Sequence, residues 1–172
     1  MSLILDGSAG VTYPVVAGSS SALQASAGKV LQVVSTTKTD TFSTASTTFV
    51  DVTGLSATIT PTSTSSQILV FVASNYGTST TSIIGIFNLL RGSTNISQPS
   101  TAPTYNGTTV SYTSVGDVVN NWSMLFLDSP ATTSATTYKI QTRASSGTLY
   151  VNRRNTADVA QTSTITIMEI AA

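Results

Sequence analysis

The alternation of apolar and polar residues breaks down most clearly at residues 67–74, which read QILVFVAS. The apolar run from Ile68 to Val72 lacks the apolar–polar alternation of a strand with one face in water. A helix is the other interpretation of a short apolar run, but the β-branched and aromatic content and the flanking turn residues favour a strand. We therefore predict a strand with both faces removed from water, which is typical of a subunit in an assembly.

From Lys29 to the end of the chain, short apolar segments alternate with turn residues. Residues 92–107, which include two prolines and two glycines, are predicted to form a long loop. No segment has a helical period with caps, so the pattern predicts an all-β sandwich or jelly roll of about eight to ten strands. The predicted strands are 29–35, 48–52, 57–60, 67–74, 81–91, 108–113, 122–128, 135–144, 148–151 and 163–170, with a tight turn at Thr53-Gly54 between the second and third.

Residues 1–27 differ from the rest, because Gly, Ala and Ser are frequent and no period is sustained. We interpret them as an extended arm that becomes ordered on binding, and residues 28–172 as the domain. A flexible terminus is an equally good interpretation of such a segment. If the arm anchors the protein, its apolar clusters are the candidate contacts, namely Leu3, Ile4, Leu5, Tyr13, Pro14 and Val15.

The composition of the chain gives its apolar strands little protection from association. Charged residues make up 8% of the chain, against about 25% in an average soluble domain, and Ser and Thr supply about a third of it. The exposed edges of sheets are usually protected by Lys, Pro or bulges, and this chain has only seven Lys and Arg residues. Each large apolar side chain gains roughly 1.5–3 kcal/mol on burial. We therefore predict an obligate homo-oligomer with these candidate interface residues: Leu69, Phe71, Ile84, Ile86, Leu125 and Leu127.

Several segments resemble structural proteins of bacteriophage virions, particularly those of cyanophages and other aquatic phages. The N-terminal LILDGSAGVTYP is similar to the start of many phage fibre and decoration proteins. The resemblance continues through TTFVDVTGLSATITPTSTSSQILV, FLDSPATTSATTYKIQTR, LYVNR and STITIMEI, and residues 92–121 are the least similar part. It implies a jelly-roll β-sandwich that forms a homotrimer, broadly like tumour necrosis factor and complement-type heads. It also implies a location on the virion after assembly in the host cytoplasm.

Catalysis has little support in the sequence. The chain has no His and no Cys, which removes the commonest general base and rules out Ser-His-Asp, Cys-His and thiolate metal sites. The seven acidic residues are scattered, whereas glycoside cleavage requires two opposed carboxylates. We expect a protein that is not an enzyme and that has no cofactor and no metal site.

Charge and hydropathy exclude further classes of partner. The net charge is zero, so no basic patch indicates nucleic-acid binding. The longest apolar stretch, residues 83–90, is much shorter than the roughly 20 residues of a membrane helix, and residues 1–5 do not have the pattern of a signal peptide. We therefore expect no nucleic-acid partner, no membrane partner and no secretion signal.

Two functions remain after these exclusions. The first is a capsid decoration protein or head fibre that is attached to a capsid or tail protein through residues 1–27. The alternative is a tail-fibre or adhesin tip that binds a host surface glycan, with Tyr105 and Tyr112 as the candidate receptor contacts. Trp122 is followed directly by an apolar run, so a core or interface position is the better interpretation of it. The basic pair Arg153-Arg154 is either a solvated loop tip or a contact for an acidic partner.

Overall fold

The computed structural model describes residues 4–6, 10–12, 28–101 and 104–172, and in these ranges every regular element is a β-strand. The predicted all-β class is confirmed. The strands are β1 (Ile4–Asp6), β2 (Gly10–Thr12), β3 (Val30–Lys38), β4 (Phe42–Thr44), β5 (Val50–Ile59), β6 (Gln67–Thr78), β7 (Ile83–Arg91), β8 (Thr94–Asn95), β9 (Thr109–Thr113), β10 (Asn120–Asp128), β11 (Thr136–Ala144), β12 (Leu149–Val151) and β13 (Ser163–Ile170).

Two antiparallel sheets form the body of the protein. The six-stranded sheet has the order β3-β13-β6-β12-β4, with β10 on the other edge of β6. The five-stranded sheet has the order β5-β11-β7-β8, with β9 also paired to β7. Inward side chains of both sheets meet in one hydrophobic core, which makes the arrangement a β-sandwich. The largest fully buried core side chains include Tyr76, Phe87, Leu55, Ile68, Tyr138, Ile140 and Ile165.

Strand β11 shows why the alternating segments form this fold. Its residues alternate between buried and half-buried along the whole strand, with Tyr138 and Ile140 fully buried between the sheets. Polar residues with β-branched or long side chains occupy the outward positions, as expected for a strand with one face in the core. Strand β13 has the same alternation, and it contributes Ile165 and Ile167 to the core.

The prediction of two strands around a turn at Thr53-Gly54 is wrong. A single strand, β5, runs through this position, and Gly54 adopts a left-handed φ of 82° inside it. The pairing with β11 shifts there, because Ser56 lies opposite Lys139 whereas the next matched pair joins Asp51 to Gln141. Glycine tolerates this backbone conformation without a steric penalty, so it permits an irregularity within the strand instead of ending it.

Strand β7 is buried on both faces, but the chain itself covers it. Ile86 is on the outward side and is completely buried, and a Cβ added to Gly107 would lie 2.5 Å from its Cγ2. The same loop is held by two hydrogen bonds, from the Leu89 amide to Thr108 Oγ1 (3.1 Å) and from the Thr108 amide to Asn88 Oδ1 (3.3 Å). Here the second apolar face is closed by residues 104–108, and a second copy is not required.

The N-terminal segment is described only at β1 and β2, which pair antiparallel with Leu5 opposite Val11. Among the candidate anchor residues, Ile4 and Leu5 belong to β1, whereas Leu3, Tyr13, Pro14 and Val15 lie outside the described residues. Two-stranded hairpins are marginally stable by themselves. Anchoring by residues 1–27 therefore stays a prediction.

Candidate functional site, an association surface

The outer face of the six-stranded sheet carries a continuous apolar row across four strands. Leu127 of β10 lies opposite Leu69 of β6, Leu69 lies opposite Met168 of β13, and Met168 lies opposite Val33 of β3. Directly opposed side chains on one face of a sheet are within contact distance. The four residues therefore form one strip that runs from one edge of the sheet to the other.

The next rows on the same face become gradually more polar. In the second row the order is Leu125, Phe71, Thr166 and Ser35, and the two hydroxyl groups share a hydrogen bond of 2.8 Å. The third row has hydroxyl side chains at three of its four positions. Its residues are Ser123, Ala73, Thr164 and Thr37.

We call the first two rows together with Leu31 the apolar face. Several of its large side chains are largely in solvent, with exposed fractions of 67% for Leu125, 55% for Val33, 50% for Leu127, 44% for Phe71 and 42% for Leu31. None of the residues in the three rows is charged. A contiguous exposed apolar patch of this kind is unusual on a monomeric protein and typically marks an interaction site.

The sheet edge beside this face is also open. Strand β10 pairs with β6 along its full length, and in the described part of the chain its other edge has no ladder partner. Its nine residues, NNWSMLFLD, contain no Lys and no Pro. An edge strand of this length without such protection is a template for pairing with another chain.

The structure brings together four of the six candidate interface residues. Leu69, Phe71, Leu125 and Leu127 are neighbours on the apolar face. The other two belong to the five-stranded sheet, where Ile84 is half-buried opposite Tyr112 of β9. Ile86 is fully buried inside the subunit, so including it was an error: its second face is closed by the Gly107 loop and is not available to a partner.

Sequence reasoning missed the contribution of β3 and β13 to this face. Val33 and Met168 complete the apolar row, and Leu31 extends it. Residues 29–35 and 163–170 were predicted as strands, but their outward apolar residues were not included among the interface candidates. Only the strand register shows that Met168 lies opposite Leu69 and Val33 opposite Met168 in one row.

The candidate receptor tyrosines are both accessible. Tyr105 is 42% exposed and Tyr112 is 59% exposed, and the Tyr112 hydroxyl donates a hydrogen bond of 3.1 Å to Ser82 Oγ. Trp122 is buried, and its ring lies 4.7 Å from that of Phe87. Trp122 therefore occupies the core, which is one of the two positions that the sequence left open.

The basic pair is engaged within the subunit. The Arg153 guanidinium lies 4.1 Å from the centre of the Tyr150 ring. Arg154 Nε donates to Asp158 Oδ1 at 2.6 Å, and the Arg154 guanidinium also lies near Asp117. The hydrogen bonds from Arg154 hold the pKa of the Asp158 carboxyl well below its usual value. The charge of Arg154 is thus offset within the loop, whereas Arg153 keeps its charge and stacks on Tyr150.

Two buried carboxylates are committed to the fold. Asp128 accepts hydrogen bonds from Arg91 Nη1 at 2.9 Å and from the Tyr138 hydroxyl at 2.7 Å. Burial, reinforced by that hydrogen bond to Asp128, raises the pKa of Tyr138. Glu169 is fully buried and accepts hydrogen bonds from Gln32 Nε2 (2.6 Å) and the Thr62 amide (2.7 Å).

The environment of Glu169 also explains its ionisation. Burial disfavours the charged form, but hydrogen bonds from Gln32, Thr62 and Ser66 outweigh it and lower the pKa of Glu169 to about 2. A carboxylate satisfied by this many donors is a structural anion. Among the described residues, no group of three His, Cys, Asp or Glu side chains is placed to hold a metal ion.

Comparison with known proteins gives only distant likenesses. No family model matches the chain, and no curated protein does. A structure of infectious bursal disease virus strain Gx matches with 14% identity and a TM-score of 0.43 over 82% of this chain and 37% of the viral one. A mutant VP2 protein of that virus in T=1 particles matches with 13% identity and a TM-score of 0.43, covering 82% and 36%.

The chain thus spans about a third of the length of these viral proteins. At such low identity and TM-score, no function is transferred from them. In the described part of the chain, there is also no helix of the length and apolar character needed to cross a bilayer.

Proposed function

We propose that this protein is a non-enzymatic structural component of a virion and that copies of it associate through the apolar face. One observation carries the association: a row of apolar side chains crosses four strands, and no charge interrupts it. The location on a virion is supported by the resemblance of several segments to phage fibre and decoration proteins.

Energetics support association of this face with a second copy. Its five most exposed side chains, each about half in solvent, would contribute about 4–8 kcal/mol for each apolar face that a neighbouring subunit covers. Association itself costs about 4–15 kcal/mol in lost freedom of motion. The gain reaches only the lower part of this cost, so self-association is driven by the apolar face together with the β10 edge or polar contacts.

A homotrimer is the assembly that the resemblance implies, and we adopt it as part of the proposal. Closed symmetry would allow each subunit to cover its apolar face with a neighbour without forming open filaments. Residues 1–27 would attach the trimer to a capsid or tail protein, as a decoration protein or head fibre. The hairpin of β1 and β2 fits this role, because a short hairpin of this kind gains stability by docking on another surface.

The alternative is a tail-fibre tip that binds a host glycan through Tyr105 and Tyr112. The exposure of both rings favours it, since an accessible aromatic ring can pack on the apolar side of a sugar. In this alternative the apolar face still joins the subunits. The two functions therefore differ in what the 92–117 region contacts.

Light scattering of the purified protein tests the association. We expect a homotrimer for the native chain and monomers for Phe71→Glu, because the new carboxylate would be buried without a partner. The matched control is Val110→Glu on the five-stranded sheet, since Val110 is 43% exposed, and it should stay trimeric. A native monomer, or equal dissociation of both variants, would refute the role of the apolar face.

Incorporation into particles tests the virion role. Deleting residues 2–27 should leave the oligomer intact and abolish incorporation into phage particles, as measured by mass spectrometry of purified virions. Normal incorporation of the truncated protein would contradict anchoring by the arm. Absence of the full-length protein from virions would contradict the structural role itself.

A further inference from the structure

A polar groove lies on the same sheet, beyond the apolar rows. It is an open depression of about 920 Å³, and none of its lining residues is charged. Its floor is formed by residues of β6, β10 and β13, most of them outward, and one wall by the loop before β13. The lining residues with hydrogen-bonding side chains are Asn75, Asn121, Trp122, Ser123, Gln161, Thr162 and Thr164, and Ser74 also lines the groove but its hydroxyl is engaged with that of Ser163.

The floor and the wall of this groove are rigidly held. Asn75 is 3% exposed, and its Nδ2 donates to Asn152 Oδ1 at 3.2 Å and to the Thr162 carbonyl at 3.1 Å. Its Oδ1 accepts a hydrogen bond of 2.9 Å from the Asn152 amide. The amide of Gln161 donates to the Asn152 carbonyl at 3.0 Å, which fixes the wall to the same network.

The rim, in contrast, has free hydrogen-bonding groups. In the described chain, the side chains of Asn121, Ser123 and Gln161 make no hydrogen bonds, and the same holds for those of Thr162 and Thr164. Amides offer donors and acceptors together, and hydroxyls do so as well. A fixed floor with unengaged amides and hydroxyls around it is organised before any ligand arrives, which reduces the entropy lost on binding.

We propose that this groove binds a neutral oligosaccharide. Sugar hydroxyls donate and accept hydrogen bonds at once, so they match the amide and hydroxyl groups of Asn121, Gln161 and Thr164. A nucleic acid would require cations for its phosphates, and the groove lining has none. An extended peptide would pair with backbone groups at a sheet edge such as that of β10, whereas the unengaged groups of this groove are side chains on the sheet face.

The groove adjoins the apolar face but differs from it in chemistry, because Ala73, Ser123 and Thr164 of the third row also line the groove. Asn75 is four residues along β6 from Phe71, so it lies about 13 Å away on the same face. Tyr105 and Tyr112 belong to the loop and strand that adjoin the five-stranded sheet. The end of the groove at Asn75 and Asn121 therefore lies clear of Phe71, and binding there does not depend on the tyrosines.

A printed array of neutral and sialylated oligosaccharides, probed with the full-length oligomer, tests this site. We expect binding to one or more neutral glycans and a loss of at least ten-fold in affinity for Asn121→Ala/Gln161→Ala. Neither side chain has a hydrogen-bond partner to lose within the described chain, so folding should be unchanged. The matched control is Asn106→Ala/Gln98→Ala in the 92–108 loop, which should bind normally.

Three outcomes would overturn the inference: no glycan binding, binding only of sialylated glycans, or an equal affinity for the native protein and Asn121→Ala/Gln161→Ala. Loss of binding in the control pair would also overturn it and would assign the ligand to the loop of Tyr105. Light scattering of both double variants separates this result from the proposed association. If Asn121→Ala/Gln161→Ala stays oligomeric but fails to bind, the loss is assigned to the groove and not to the association.

Discussion

The outer faces of the two sheets have the same strand geometry but different chemistry. On the five-stranded sheet, the outward side chains include Asp51, which accepts hydrogen bonds of 2.7 Å from Lys139 Nζ and Gln141 Nε2. Arg143 lies 5.2 Å from the Phe49 ring on the same side. The six-stranded sheet has no charge in its three central rows, and the side chains there are apolar or carry hydroxyls.

The outward side of an apolar strand can therefore be covered by the chain itself or left open for a partner. Outward residues of β7 are covered by the chain's own loop, which buries Ile86 completely. Outward residues of β6 and β10 are covered by nothing in the described chain, so Phe71 and Leu125 remain exposed. The first run serves folding, whereas the second is available for association.

The largest expected effect comes from placing the same charge on each face. Ile86→Asp should lower the free energy of unfolding by about 4 kcal/mol or more, because it would bury an unpaired carboxylate. Leu125→Asp should leave folding nearly unchanged and should dissociate the oligomer. Thermal melting by circular dichroism, together with light scattering, measures both, and similar melting temperatures for the two variants would remove the distinction between the faces.

A smaller effect is expected from disturbing the loop that closes β7. In Gly107→Ala, the new Cβ would meet Ile86 Cγ2 at 2.5 Å and the Phe87 carbonyl at 2.9 Å, so we expect a loss of about 1–3 kcal/mol in urea denaturation. Gly116→Ala is the matched control, because its nearest atoms would be 3.5 Å away. Equal stability of the two variants would show that the loop does not press on β7.

The inner side of the six-stranded sheet gives a pH-dependent prediction through Glu169. Its pKa is lowered from 4.5 to about 2 in the folded protein, so its contribution to stability is complete above pH 4.5 and is lost as the pH falls towards 2. Urea denaturation between pH 6 and pH 2 should show this decrease. In Glu169→Gln the decrease over that range should be smaller, and an unchanged pH profile would contradict the assignment.

The smallest effect is expected for the charges of the five-stranded sheet. Lys139→Ala removes the 2.7 Å ion pair with Asp51, which is half exposed. Such surface pairs contribute less than about 1 kcal/mol and are screened by salt. We expect a small loss of stability at low salt, none at high salt and no change in oligomeric state, as measured by urea denaturation and light scattering.

The sequence predicted a strand correctly where the residues of that strand alone showed the pattern. The alternation in residues 163–170 and 135–144 correctly predicted strands with one core face, and the unbroken run at 67–74 correctly predicted a strand. The sequence was misleading where the burial or pairing of a residue depends on a segment far away in the chain. Nothing near Ile86 indicated that Gly107 would lie over it, and Gly54 suggested a turn although the strand continues through it.

The candidate site was predicted in part for the same reason. Phe71 and Leu125 were identifiable because each stands in an apolar run that one buried face cannot explain. Val33 and Met168 were not, since each lies in a strand whose pattern fits a single core face. Their membership of the apolar row depends on the register of β3, β13 and β6.

Composition and local pattern by themselves determined that this chain forms strands, has few charges and lacks the residues of common catalytic sites, because these properties belong to individual residues and their neighbours in sequence. The tertiary structure decided which apolar residues are covered and which are exposed. That distinction depends on contacts between residues far apart in the chain, such as Gly107 with Ile86 and Leu69 with Met168. Burial is a property of the whole fold, and the local pattern of hydrophobic residues does not specify it.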